Sequence, residues 1–244
     1  MPVITVSRQR GSMGSFIALE VAQRLDLRYL DREIIESVAR EAGVSTERVE
    51  AIEERSGRLA RVLRLLGARP KLPAMASASL REGEGLEAQV EGLMVRSGLS
   101  REEAYARAGR SAAFAYMPRQ DYLDLVTSVI LQYAEEGDAM LVGRGGQMIL
   151  RDEPGVLHIQ VHASFETRVY NIIQREGVKW REAAHRVRRA DEQRAGYMRR
   201  FYNVDWLSSE LYDLAISTDN VSTEAAVDMI ILAAQAVGAA GMAG

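Results

Sequence analysis

Near its start the chain carries a β-branched run, Val3-Ile4-Thr5-Val6, followed by Ser7-Arg8-Gln9-Arg10-Gly11-Ser12-Met13-Gly14-Ser15. Beyond it, Ile17, Leu19, Val21, Ala22 and Leu25 recur at helical spacing. Strand, glycine-rich turn and helix, in that order, are the layout of a phosphate site. The glycines let backbone N–H groups point inward, and the partial positive charge of a helix N-terminus favours an anion. Gly11, Ser12, Gly14 and Ser15 supply such a turn, which also occurs as a purely structural start to a helix. The usual phosphate-loop pattern ends in Gly-Lys-Ser/Thr, whereas here Met13 stands at its last glycine and Gly14 at its lysine. Arg8 and Arg10, on either side of Gln9, are the nearest residues able to replace the missing charge. A dinucleotide-type G-x-G-x-x-G spacing does not occur.

Arginine is abundant well beyond this loop. Of 31 basic residues only Lys71 and Lys179 are lysines, which leaves 29 arginines. Coding bias accounts for such a skew, but the chemistry still differs. Arginine offers a rigid planar fork that binds phosphate or carboxylate through two parallel hydrogen bonds, and lysine a point charge on a flexible stem. The stretch from Arg168 to Tyr202 holds ten basic and four acidic residues, a net of +6 in a chain whose overall charge is −3. Segregation of this kind suits an element that closes over an anion, although a solvated basic helix face would show it too. Asp191 lies three residues from both Arg188 and Arg194, so helical spacing lets it pair with either.

The elements that must position these groups alternate. Short apolar runs at 3–6, 27–30, 139–142, 156–161 and 214–217 predict five strands, and helical patterns at 122–136, 165–175, 180–202 and 223–237 fall between the later ones. Ile34, Ile35, Val38 and Ala39 mark a further helix. This rhythm predicts an α/β fold of three layers, a five-stranded parallel sheet covered on both faces. Residues 57–119 break it: Arg58–Leu66 is basic and amphipathic, Gly67–Gly85 contains Pro70 and Pro73, and Ser100 with Glu103 makes a capping box. They read as a helical insertion into a core of 1–56 and 120–237, and the Ala/Gly-rich 238–244 as a flexible tail.

Several of these motifs recur together in one family. Ile4-Thr5-Val6-Ser7-Arg8-Gln9-x-Gly11-Ser12-x-Gly14, then Tyr29-Leu30-Asp31-Arg32-Glu33-Ile34-Ile35, then Leu141-Val142-Gly143-Arg144-Gly145 and the segment from Asp191 to Trp206 resemble the cytidylate kinase-like family, relatives of the nucleoside monophosphate kinases within the P-loop fold. The resemblance implies ATP-dependent, magnesium-assisted phosphoryl transfer to a small acceptor, for which a nucleoside monophosphate such as CMP is the model. It implies that Gly11, Ser12, Met13, Gly14 and Ser15 wrap the donor phosphates, that Ser15 holds magnesium, and that Asp31 sits at the mouth of the cleft by the acceptor. Arg144 matches an arginine that contacts the acceptor phosphate, in a motif whose following aspartate is Gly145 here. Arg188, Asp191 and Arg194 match the arginine-rich lid that closes over the transferring group, and the insertion matches a flap on the acceptor side.

Composition excludes other classes. The chain has 244 residues, 47% hydrophobic and 27% charged, which rules out a wholly disordered or collagen-like polymer. It has no cysteine, so disulfide scaffolds, cysteine zinc sites and thiol catalysis are out. The longest apolar stretch, near the C-terminus, is interrupted by Asp228 and Gln235, and the start lacks the pattern of a secretory signal, so a cytoplasmic protein without a membrane span is expected. Val38, Ala39, Ala42, Gly43, Val44, Ser45 and Val49 have helix-turn-helix spacing, but the second helix would carry a net of −2 toward polyanionic DNA, in a chain of pI about 5.8. His158, His162 and His185 are not spaced as metal ligands, Asp205-Trp206 and Tyr212-Asp213 suit turns and packing, and the oligomeric state is left open, a homo-oligomer included. A nucleotide-binding protein of kinase fold that transfers nothing is the main alternative, favoured by Met13, Gly14 and Gly145.

Overall fold

The computed structural model describes residues 2–47, 49–50, 91, 94–104, 106 and 119–241. Five parallel strands, β1 (Val3–Arg8), β2 (Arg28–Leu30), β3 (Ala139–Val142), β4 (Val156–His162) and β5 (Leu214–Ser217), form one sheet in the order β2-β3-β1-β4-β5. The helices are α1 (Gly14–Arg24), α2 (Arg32–Ala42), α3 (Arg119–Glu136), the short α4 (Gly146–Ile149), α5 (Phe165–Glu176), α6 (Trp180–Phe201) and α7 (Thr223–Gly241). The sheet is the α/β core that the alternating runs predict. β1 and β3 are buried nearly throughout because both their faces are covered.

One face packs Ile4, Val6, Met140, Val142, Ile159 and Val161 against Ile17 and Val21 of α1 and Val227 and Ile230 of α7. Each such aliphatic side chain contributes roughly 1.5–3 kcal/mol on burial, so the β1–α1 junction is held by a well-filled core. Opposite, Thr5 Oγ1 and His158 Nδ1 are 2.7 Å apart in a buried pair, and burial lowers the His158 pKa. His158 is thus a core histidine, and among the described residues no three acidic or histidine groups cluster as metal ligands. Asp205 and Trp206 behave as their types suggest. Asp205 Oδ1 accepts the Leu207 N–H, while the buried Trp206 offers its carbonyl to Tyr212 Oη and Gln160 Nε2. Asp213 Oδ2 accepts the His158 N–H.

The chain divides into two compact units, Met1–Ile34 with Leu123–Gly244, and Ile35–Tyr122. Within the second, α2 ends at Gly43 (φ +65°), and Val38, Val44 and Val49 are buried. The Ser100 capping box forms, with the Ser100 N–H donating to Glu103 Oε2 at 2.9 Å and the Glu103 N–H to Ser100 Oγ at 3.3 Å. The basic stretch 58–66 and the connection 67–85 lie outside the described residues. α7 continues through Gly241, past the 238 at which the sequence suggested a tail, since an alanine-rich run extends a helix readily. Among the described residues no helix is long and apolar enough to cross a membrane.

Candidate functional site

The strand order reverses beside β1: the chain leaves β1 for β2 at one edge and returns through β3 to reach β4 on the other side. In open α/β sheets ligands bind at such a switch point, outside the carboxyl ends of the strands. The first unit places there Arg8 at the end of β1, Asp31 after β2, Gly143 and Arg144 after β3, and the loop Gln9–Met13 leading into α1.

The loop is clamped from below. Ser12 Oγ shares its one proton between the carbonyls of Gln9 (2.8 Å) and Val161 (3.1 Å), Thr218 Oγ1 donates to the Ser12 carbonyl, and Asn171 Nδ2 donates to the Gly11 carbonyl. Gly11 has φ +86°, and a Cβ there would lie 2.5 Å from the Arg168 carbonyl oxygen of α5, so only glycine fits. Met13 caps α1 with φ +62°, the left-handed conformation a glycine would adopt freely, which explains why it aligns with a glycine of the usual pattern. No side chain caps α1 and its first turn holds no acidic residue, which leaves that end suited to an outside anion. Gly14 explains the absent lysine. A Cβ at this position would approach Arg8 Cβ to 2.6 Å and Val161 Cβ to 3.0 Å, so the helix start sits too close to β1 and β4 for any side chain.

Arg8 spans the crevice instead. Its Nη2 bonds Asp31 Oδ2 at 2.7 Å, its Nε lies 3.4 Å from Ser15 Oγ, and its Nη1 rests on Gly143, 2.5 Å from where a Cβ would stand. Arg194, on α6, completes the charge cluster. Burial, and next the charge of Arg8, pull its guanidinium down to about 9, and only Asp191 and Asp31 act in the opposite sense. Its Nη1 is buried and has no hydrogen-bond partner among the described residues, while its carbon lies 5.9 Å from the centre of the Trp206 ring. Arg10 Nε is likewise buried without a partner, and Arg10 Nη2 bonds Glu176 Oε1 at 3.0 Å. A buried cation left short of hydrogen bonds carries a desolvation penalty that an incoming anion relieves.

Arg188, Asp191 and Arg194, which the resemblance assigns to a lid, are not paired with one another. Asp191 pairs with neither Arg188 nor Arg194: it receives Arg168 Nη1 at 2.8 and 2.9 Å, from a side chain buried near the start of α5. Helical spacing counts only neighbours on α6, whereas α5 packs along it through Val169, Ile172, Ala183 and Val187. The Arg188 guanidinium lies 4.9 Å from the centre of the Phe165 ring. Arg168 gave no signal in the sequence beyond being one more arginine in a basic stretch.

Glu176 was also missed. It gathers Arg10, Arg175 (2.8 Å) and Arg186, so one carboxylate ties the loop, α5 and α6 together. Hydrogen bonds from Arg175 first, then Arg186 and Arg10, lower its pKa to about 2. A carboxyl whose pKa falls on folding adds stability above its unfolded value of 4.5, and that stability is lost as pH falls through about 2. Thermal melts across that window should show Glu176→Gln with a shallower acid slope than the parent, part of the remaining slope coming from Asp219, which hydrogen bonds from Thr167 and Ser164 also hold at about 2. Identical slopes would mean the three arginines do not engage Glu176.

Ser15 offers an oxygen for magnesium in this cluster. Ser15 is exposed on the first turn of α1, and its hydroxyl keeps a lone pair beyond the one facing Arg8. Magnesium at phosphates needs only one or two protein ligands beside water and phosphate oxygens, so Ser15 fits the ion.

Residues 3–220 match the model of the cytidylate kinase-like family. Among solved structures, a protein from Eubacterium ventriosum superposes with a TM-score of 0.61 at 18% identity, covering 96% of this chain and 99% of that one. TT1252 from Thermus thermophilus superposes with a TM-score of 0.42 at 15% identity, covering 96% and 97% of the two chains. A uronate isomerase of Corynebacterium glutamicum is 29% identical over 137 residues, 56% of this chain, which spans only 25% of that protein's length.

Proposed function

Because the chain belongs to the cytidylate kinase-like family, we propose that it transfers a phosphoryl group from ATP to a small acceptor, a nucleoside monophosphate such as CMP being the first to test. Family membership carries nucleotide-kinase chemistry as the general activity; the donor, the metal, the acceptor and a cytoplasmic setting are our reading. What supports it most is Arg194, a buried guanidinium with an N–H left unpaired beside the uncapped start of α1 and the Arg8–Asp31 pair.

Phosphoryl transfer asks little covalent chemistry of a protein; positioning and the neutralisation of spreading charge do most of the work. The amides at Gly11–Ser15 cradle the donor phosphates. Arg194 and Arg10 turn their unpaired N–H groups to phosphate oxygens, and Arg8 takes the electrostatic place of the lysine that Gly14 excludes. Magnesium bound at Ser15 would offset further charge on those oxygens. Asp31 orients the acceptor and, through its 2.7 Å bond, keeps Arg8 between the two substrates. Arg144 binds the acceptor phosphate, and Arg188 stands outside this group, on Phe165.

A second reading, nucleotide binding without transfer, draws on Gly14 and Gly145, neither of which has room for a side chain. A coupled assay of ADP formation over a panel of nucleoside monophosphates and other small hydroxyl acceptors separates the two. Turnover on one acceptor is expected. Saturable ATP binding with no turnover on any would favour the second reading.

A further inference from the structure

The turn after β3 holds an unusual run: Gly143, Arg144 and Gly145 have φ of +88°, +56° and +73°. Glycine takes this conformation freely, but Arg144 does not, and a strained residue persists only where its surroundings over-determine it. Here those surroundings come from the far end of the lid helix. Tyr197 Oη donates to the Arg144 carbonyl at 3.3 Å. The Tyr202 ring covers Gly145 so closely that a Cβ there would lie 2.6 to 2.9 Å from its atoms. The two rings support each other, with centroids 6.3 Å apart, and Phe201 packs on Tyr197 at 4.6 Å. Tyr202 is enclosed enough for burial to push its phenol up to about 12. Arg194 precedes Tyr197 by three residues on α6, so one rigid helix carries both a buried cation and the contacts that fix the β3 turn.

We propose that Tyr197 and Tyr202 are positioning residues for the acceptor side: they lock the turn that carries Arg144 and so set the acceptor anion at a fixed place relative to Arg194. This rests on the transfer reading for the role of Arg144. It also gives Gly145 a physical reason, since Tyr202 occupies the space of any side chain at that position. The acceptor anion therefore depends on an aromatic clamp from α6, and the donor anion does not.

Calorimetry on the full chain tests this, with ATP as the donor probe and, on protein saturated with a non-hydrolysable ATP analogue, whichever panel acceptor turns over; inorganic phosphate serves if none does. Tyr197→Phe keeps the ring and removes the donor, and should weaken acceptor binding by about fivefold, the value of one neutral hydrogen bond, with ATP affinity unchanged. In steady-state rates the loss should fall on the acceptor KM and spare kcat. Gly145→Ala, whose methyl would drive the turn against the Tyr202 ring, should weaken the acceptor more than Tyr197→Phe does, again with ATP affinity unchanged. Unchanged acceptor affinity in Tyr197→Phe, or equal losses for donor and acceptor, would overturn the proposal. If no acceptor yields ADP, yet Tyr197→Phe still weakens phosphate selectively, the clamp stands and the transfer reading falls.

Discussion

Replacing Arg194 with methionine is expected to reduce ATP turnover by about 10³-fold, the scale on which a single arginine stabilises phosphoryl transfer. The same change should leave the melting temperature unchanged or raise it. Arg194 is buried with an unpaired N–H, and burial and Arg8 both disfavour its charge, so in the free protein it is a source of instability. Exchanging such a group for an apolar side chain of similar length is often neutral or stabilising. Methionine also keeps a contact with Trp206, over which the guanidinium now lies. Activity assays and thermal melts on one preparation check both halves. A variant that melts lower and retains activity would assign Arg194 to the core rather than to an anion.

Restoring the conventional loop lysine should harm this protein. Gly14→Lys is expected to lower stability by about 1–3 kcal/mol, the range for overpacking a filled site, and to weaken ATP binding. The atoms a Cβ would strike, Arg8 Cβ and Val161 Cβ, belong to strand residues next to the backbone and have little freedom to move. Any shift of Arg8 would also disturb its 2.7 Å bond to Asp31. Chemical denaturation and ATP titration measure the two effects. Tighter ATP binding in Gly14→Lys would show that the loop has simply lost its lysine and has no substitute for it.

The sheet was legible in the sequence because its determinants are local. Val3–Val6 and Ala139–Val142 are short runs bounded by turn residues and buried on both faces, and Leu214–Ser217 is a short apolar run at the sheet's edge. At the loop, Met13 adopts the left-handed conformation that a glycine takes freely, which its residue type does not signal. What escaped was long-range pairing. Helical spacing offers Asp191 only Arg188 and Arg194, three residues away on one helix, while its partner Arg168 lies 23 residues earlier on another. Arg10 looked as free to meet phosphate as Arg8, but Glu176, 166 residues away, holds one end of it. Gly145 read as a missing aspartate, and only the fold shows Tyr202 in the space where that side chain would stand. With 29 arginines in the chain, residue type said little about which ones matter; among the described residues, Arg194 and Arg10 each keep one buried nitrogen without a hydrogen-bond partner.

The central claim is that arginines stand in for the phosphate-loop lysine, and calorimetric titration of ATP with magnesium into the parent protein, Arg8→Met and Arg194→Met tests it most directly. The account predicts one saturable site in the parent and markedly weaker binding in each variant, with all three proteins folded. ATP affinity unchanged in both variants would contradict it.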